Sequence, residues 1–213
     1  QRQNFDAVII TAGYGDETQG ATTATYWSND DLSSSDNRHK IKALVSGTGD
    51  GAAIDLVRAT LAVGPDASQL RDVFRELERC GLRTFGAGVE ALVLKHRGST
   101  RTTAELWEEL AGIELPEALS AAVRKFVRAD REVAHCVGGK APAEPENGIV
   151  NITMVRLLHG IGALPSAVER IEPRIDRATG RTVHFEGGSI REFEKVVLRH
   201  GPDNKAAGAL GLT

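Results

Sequence analysis

Residues 42–58, Lys-Ala-Leu-Val-Ser-Gly-Thr-Gly-Asp-Gly-Ala-Ala-Ile-Asp-Leu-Val-Arg, constrain this chain more than any other stretch. The short apolar run from Ala43 to Val45 is the pattern of a buried parallel strand. Gly47, Gly49 and Gly51 end it, and Ile54, Val57 and Leu61 then recur at helical spacing. The segment therefore predicts a strand, a glycine turn and a helix. Gly47 lets the chain turn sharply out of the strand. Gly49 has no side chain to keep a pyrophosphate off the backbone, and Ala52 is small enough for helix and strand to pack closely. The start of the helix offers backbone N–H groups to an anion. The same glycines would also serve a tight turn that binds nothing. Asp50 opposes phosphate unless its carboxylate points away or meets a ribose or a cation.

The 213 residues can enclose a substantial core. A net charge of −3 leaves no overall basic footprint for nucleic acid. No run is long and apolar enough to cross a membrane, and the start, Gln-Arg-Gln-Asn-Phe-Asp, lacks the apolar region of a secretory signal. Two cysteines, Cys80 and Cys136, have no metal-ligand spacing, so a cytoplasmic, reduced setting is expected. The chain has no initiator Met and enters a strand almost at once, which suggests a piece of a longer protein.

Phe5 to Ile10 reads as a buried strand closed by Thr11-Ala-Gly-Tyr-Gly15, and residues 16–40 as a long polar loop with Tyr26-Trp27 as its anchor. From 68 to 131 the pattern is helical. Leu70, Val73, Phe74 and Leu77 share a face, Gly81 suits a C′ position, Thr102 or Thr103 suits a cap, and Pro116 suits a first turn. Val89 to Leu94 fits helix or strand. Glu132 to Val137 reads as the second strand and Ile149 to Gly160 as a helix. Val168–Ile171, Arg174–Asp176 and Thr182–Phe185 read as an antiparallel meander, with turns at 178–180 and 186–189. Phe193 to Leu198 reads as the last strand, and the residues beyond Pro202 as weakly structured.

This order of motifs resembles the NAD(P)-binding domain of two-dinucleotide-binding FAD/NAD(P)-dependent oxidoreductases, the flavin monooxygenases and pyridine nucleotide-disulfide reductase-like enzymes. In that family a strand ending in Ala-Thr-Gly precedes the glycine fingerprint, and a second strand, a helix, a meander and a last strand ending in Ala-Thr-Gly follow it. Here Phe5-Asp-Ala-Val-Ile-Ile-Thr-Ala-Gly13 and Phe193-Glu-Lys-Val-Val-Leu-Arg-His-Gly201 stand at those two places. The likeness covers nearly the whole chain apart from the helical block. The chain departs in its Thr-Ala-Gly and Arg-His-Gly, in the block that splits the first βαβ unit, and in lacking the N-terminal flavin fingerprint. The resemblance implies an α/β fold: a Rossmann-like, mostly parallel sheet with helices on both faces, a helical insertion and a small antiparallel meander. Residues 1–67 and 132–213 would form the nucleotide-binding domain and 68–131 the insertion. NAD or NADP is the implied cofactor, with FAD held by a domain upstream if one exists.

The cofactor-binding residues expected on this basis are Gly47, Thr48, Gly49, Asp50, Gly51 and Ala52, with Gly13, Lys140 and Arg199 around them. NAD sites usually carry an acid at the end of the second strand. Gly138-Gly139-Lys140 stands there instead, so Lys140 either meets a 2′-phosphate, favouring NADP, or is a plain surface lysine. Arg199 can grip a phosphate or pair with a nearby carboxylate. His200 can shuttle a proton or cap the turn, and is the one candidate for catalysis. Asp55 reads as a solvated or dipole-compensating residue. His135 and Cys136 are neighbours in a strand, point to opposite faces and cannot form a nucleophile–base pair. Tyr26-Trp27 can stack on an adenine or simply anchor the loop. His39, His96, His159 and His184 show no ligand pattern, and nothing follows a Ser-His-Asp order or a P-loop lysine. Two functions stay open: an oxidoreductase part that passes hydride to a flavin held elsewhere, and a degenerate nucleotide-sensing or interaction module whose partner docks on the insertion at Trp107.

Overall fold

The structure is a computed structural model. It describes residues 32, 40–62, 67–97, 99–137, 141–162, 175–179, 181–185 and 187–199, with the backbone alone at 67–70 and 175–179. The expected first strand at 5–10, Gly13, Tyr26-Trp27, Lys140, the expected strand at 168–171, His200 and the C-terminal residues lie outside the described residues.

The glycine unit folds as its pattern predicts. Strand β1 (Ile41–Ser46) leads through Gly47, Thr48 and Gly49 into helix α1 (Asp50–Thr60). Four helices follow: α2 (Ala67–Arg79), α3 (Leu82–His96), α4 (Thr103–Ala111) and α5 (Glu117–Phe126). Gly81, at φ 105°, separates α2 from α3 in the left-handed conformation that glycine favours. Val89 to Leu94, ambiguous in the sequence, lies inside α3. Thr102 caps α4 in a reciprocal capping box with Glu105. Strand β2 (Arg131–Cys136), helix α6 (Ile149–Gly160), β3 (Ile175–Thr179), β4 (Thr182–Phe185), β5 (Ile190–Glu192) and β6 (Lys195–Leu198) complete the order. None of the described helices is long and apolar enough to cross a membrane.

Strands β2, β1 and β6 form a parallel sheet in that order. β1 and β2 are buried except at Lys42 and Glu132, which face each other in register with opposite charge. Alternation along the strands creates two faces. Ala43, Val45, Val133 and Val197 join the side chains of α1 to α6 in one apolar core, whereas Leu44, Ala134, Cys136 and Leu198 pack with Val183, Phe185 and Phe193. The α/β class holds. Among the described residues, the face of the sheet opposite α1 to α6 carries the β3-β4-β5 meander. Phe185 and Val183 are nearly or fully buried and supply the apolar cover a helix would otherwise give. The meander is shifted: Ala178-Thr179 belongs to β3, and Ile190–Glu192 is its third strand.

The block from α2 to α5 is accommodated by joining its two ends. Leu61 and Val127 form an antiparallel bridge, Ala62 N–H donates to the Phe126 carbonyl (2.7 Å), and Arg128 N–H donates to the Thr60 carbonyl (2.9 Å). The chain thus leaves and re-enters the α1–β2 crossover at one point, and the sheet register is undisturbed.

Candidate functional site

The carboxyl ends of β1, β2 and β6 lie side by side, where ligands of open α/β sheets bind. The turn at 47–49 is held from both sides. Gly47 N–H donates to the Cys136 carbonyl (3.0 Å) and Arg199 N–H to the Ser46 carbonyl (2.7 Å). Gly47 sits at φ 132°, and a Cβ there would lie 2.2 Å from the Arg199 carbonyl oxygen, so glycine is required by conformation and by space. Gly49 is different. It is extended at φ −80° and ψ 175°, and a Cβ built on it meets nothing within 4 Å. Ala52 is buried against the turn, as its place in the fingerprint predicts.

Among the described residues, no side chain caps α1. The backbone N–H groups of Thr48, Gly49, Asp50, Gly51 and Ala52 find no acceptor among the described residues, and the first intrahelical bond there runs from Ala53 to Gly49. An ordinary helix leaves its first four N–H groups open. Here the turn adds to them, giving five consecutive donors around Gly49, whose own Cβ direction is open.

Asp50 does not obstruct that space as a bare charge. Its Oδ1 accepts from Gly148 N–H (2.8 Å) and Asn151 Nδ2 (2.8 Å), so the carboxylate points sideways to the start of α6. There it meets the positive end of a second helix. The loop at 141–148 closes over the turn from the same side. Thr48 Oγ1 donates to Glu144 Oε1 (2.6 Å), Asn147 Nδ2 donates to the Thr48 carbonyl (2.5 Å), and Arg97 holds the loop through the Pro145 and Asn147 carbonyls (2.7 and 2.9 Å). Glu144, Asn147 and Asn151 were not indicated by the sequence. Their contacts span about a hundred positions, and no local spacing marks them.

Asp55 and Arg199 correct two expectations. Asp55 is buried rather than solvated. Its Oδ2 accepts from Arg199 Nε (2.7 Å) and its Oδ1 from Arg58 Nη1 (2.8 Å). Of the two roles open to Arg199, pairing with a carboxylate is the one seen. Its side chain is 3% exposed and directed at Asp55, so it is not presented to a phosphate. Trp107 is half-buried against the core, which reduces its value as a docking surface; Leu94, 55% exposed on α3, is the more accessible apolar side chain of the block. His135 faces the helices and Cys136 the meander, so they point apart as expected.

His135 brings in a partner that the sequence did not suggest. Its Nε2 donates to the Gly47 carbonyl (2.8 Å), and its Nδ1 lies 3.2 Å from His159 Nε2. Burial pushes His135 down to about 4; burial and then the neighbouring His135 and Arg156 push His159 down to about 3. Both rings are therefore neutral near pH 7. The carbonyl can only accept, which fixes the His135 proton on Nε2 and leaves Nδ1 to accept from His159 Nε2–H. His159 Nδ1 is then a bare, buried acceptor. Trp107 of α4 packs edge-to-face on His159 at 5.4 Å.

No family model, curated protein or solved structure matches the chain.

Proposed function

We propose that this chain is the nucleotide-binding part of an FAD/NAD(P)-dependent oxidoreductase-like protein of the cytoplasm, holding the pyrophosphate of NAD or NADP on the turn from Gly47 to Ala52. The observation that carries this is the row of five backbone donors from Thr48 to Ala52, open beside Gly49 at the carboxyl edge of a parallel sheet. The order β1, α1, β2, α6, meander, β6 supports it, being the order on which the resemblance rests. The fit is to a phosphate group; FAD would belong to a domain upstream.

One observation favours a second reading, a module that binds a nucleotide without redox chemistry. Arg199, whose backbone abuts Gly47, directs its side chain to Asp55. Titration calorimetry of the chain with NADH, NADPH, FAD and inorganic pyrophosphate tests the site, and Gly49→Val locates it. Because Gly49 has an extended backbone and open space, the variant should keep its fold while losing binding at least tenfold. Binding that survives in a folded Gly49→Val protein would move the site elsewhere. NAD(P)H oxidation by the full-length protein with its flavin separates the enzyme from the module.

A further inference from the structure

We infer that His135 and His159 are positioning residues for the phosphate cradle: the pair holds the Gly47 carbonyl inward and so turns the Thr48 N–H outward, toward the ligand. This rests on the nucleotide reading of the turn. In a trans peptide the C=O and the following N–H point in opposite directions. Anchoring the Gly47 carbonyl to His135 Nε2 (2.8 Å) therefore fixes where the first of the five donors points. No other donor reaches that carbonyl among the described residues.

The pair is built to keep one tautomer. A lone buried imidazole could place its proton on either nitrogen, and only the Nε2–H form serves the carbonyl. The Gly47 carbonyl selects that form, and His159 reinforces it by donating Nε2–H to the bare Nδ1 of His135 (3.2 Å). His159 is itself set by its place in the last turn of α6 and by Trp107 packed at 5.4 Å from α4. The surroundings contribute little countercharge. From α6 the charged neighbour is Arg156, whose guanidinium is engaged with the Leu110, Ala111 and Ile113 carbonyls. From α4 comes the uncharged Trp107, and from the turn a carbonyl. On the far side of Gly47 lies the Arg199 backbone, whose side chain is paired with Asp55. A charged imidazole here would find no carboxylate partner among these groups, so the neutral chain of donors is the stable arrangement.

The test combines binding with a spectroscopic signature. Nitrogen-15 NMR of the free protein at pH 7 should show both His135 and His159 protonated on Nε2 with Nδ1 bare. A proton on His135 Nδ1 would overturn the proposal without reference to any ligand. Pyrophosphate and NADH affinity are then measured for His135→Gln, whose amide nitrogen replaces Nε2–H, and for His135→Phe, which has no donor. His135→Gln should bind within about threefold of the parent and His135→Phe about tenfold more weakly. Equal binding by a folded His135→Phe would sink the positioning role while leaving the nucleotide reading intact. Should His135→Phe not fold, His159→Phe decides: it leaves the Gly47 carbonyl in place but takes away the donor to His135 Nδ1, so part of the His135 population should move its proton to Nδ1 and lose the carbonyl bond, the His135 signal becoming mixed and affinity falling about threefold. An unchanged tautomer and affinity in His159→Phe would overturn the proposal. Absence of binding by the parent protein itself would overturn the nucleotide reading, and the positioning role with it.

Discussion

Two helices begin at the same edge of the sheet, and they are treated differently. At the start of α6 a carboxylate is already in place: Asp50 accepts from Gly148 N–H and from Asn151. At the start of α1 no side-chain cap and no acceptor for the N–H groups of Thr48 to Ala52 is found among the described residues, and the Cβ direction of Gly49 is open. The same residue explains both. Asp50 is the first residue of α1, and by turning to α6 it supplies one helix end with an anion and leaves the other without. The difference teaches that the molecule's own carboxylate serves one helix start, and that the other is left with the donors on which the proposed anion site rests.

The largest effect should come from what holds the open end together. Gly47→Ala would place a methyl group 2.2 Å from the Arg199 carbonyl oxygen, on a backbone at φ 132°. Strain and clash together should exceed about 4 kcal/mol, seen as failure to fold or as a collapsed urea midpoint. Gly49→Ala, two residues on, should lose about 1 kcal/mol or less, since glycine is only a modest cap preference there. Similar losses at the two glycines would abolish the distinction drawn between a structural and an open position.

Next comes the charge beneath the turn. Asp55→Ala would leave the Arg199 guanidinium, 3% exposed, without the carboxylate that now meets it at 2.7 Å. Breaking a buried pair from one side costs about 3–5 kcal/mol. Chemical denaturation should report a loss in that range; a loss below about 1 kcal/mol would show that Arg199 is not dependent on Asp55.

Acid should act through the pair that ties the α1 entry to the last turn of α6. His135 and His159 titrate near 6.5 when unfolded and at about 4 and about 3 when folded. Below pH 6.5 the unfolded chain takes up protons that the folded chain refuses, so the stabilisation present above that pH is lost as the pH falls toward 4. The slope approaches about 1.4 kcal/mol per pH unit for each histidine. Denaturation midpoints between pH 7 and 4 check this, and His159→Phe should flatten the curve. An equally steep curve in that variant would assign the acid sensitivity to other groups.

Local chemistry made the frame legible and left the site's closure hidden. The strand, glycine turn and helix at 41–60, the helices at 67–126 and the helix at 149–160 follow from apolar spacing and caps such as Thr102, because those signals act within a few residues. The Leu61–Val127 bridge, the Asp55–Arg199 pair and the His135–His159 contact join distant positions, and hydrophobic periodicity carries no information about them. The identity of the second cover is hidden for a related reason. Buried residues on both faces of β1 require two covers, but they do not say whether helix or meander provides the second. Asp50 shows the limit most directly: its sequence position in the glycine turn suggested repulsion of a phosphate, and only the position of α6 shows where the carboxylate goes.

The smallest predicted effect bears most closely on the two helix starts. Asp50→Asn keeps an oxygen that can accept from Gly148 N–H but removes the charge that favours the α6 terminus, which should cost about 0.5–1 kcal/mol of stability. It also removes a negative charge from the neighbourhood of the α1 donors. At the separation of adjacent groups in a partly solvated setting that repulsion is worth about 0.5–1 kcal/mol, so pyrophosphate should bind two- to fivefold more tightly to the variant. Asp50→Ala should go further at α6, losing about 1–2 kcal/mol because Gly148 N–H and Asn151 both lose their acceptor. Calorimetry at low and at 0.5 M salt separates the two contributions, since the charge effect on the exposed ligand is screened and the lost hydrogen bonds are not. If Asp50→Asn bound pyrophosphate more weakly than the parent, the carboxylate would belong to the binding site itself, meeting a cation or a sugar hydroxyl there, and the division between an occupied α6 start and an open α1 start would have to be given up.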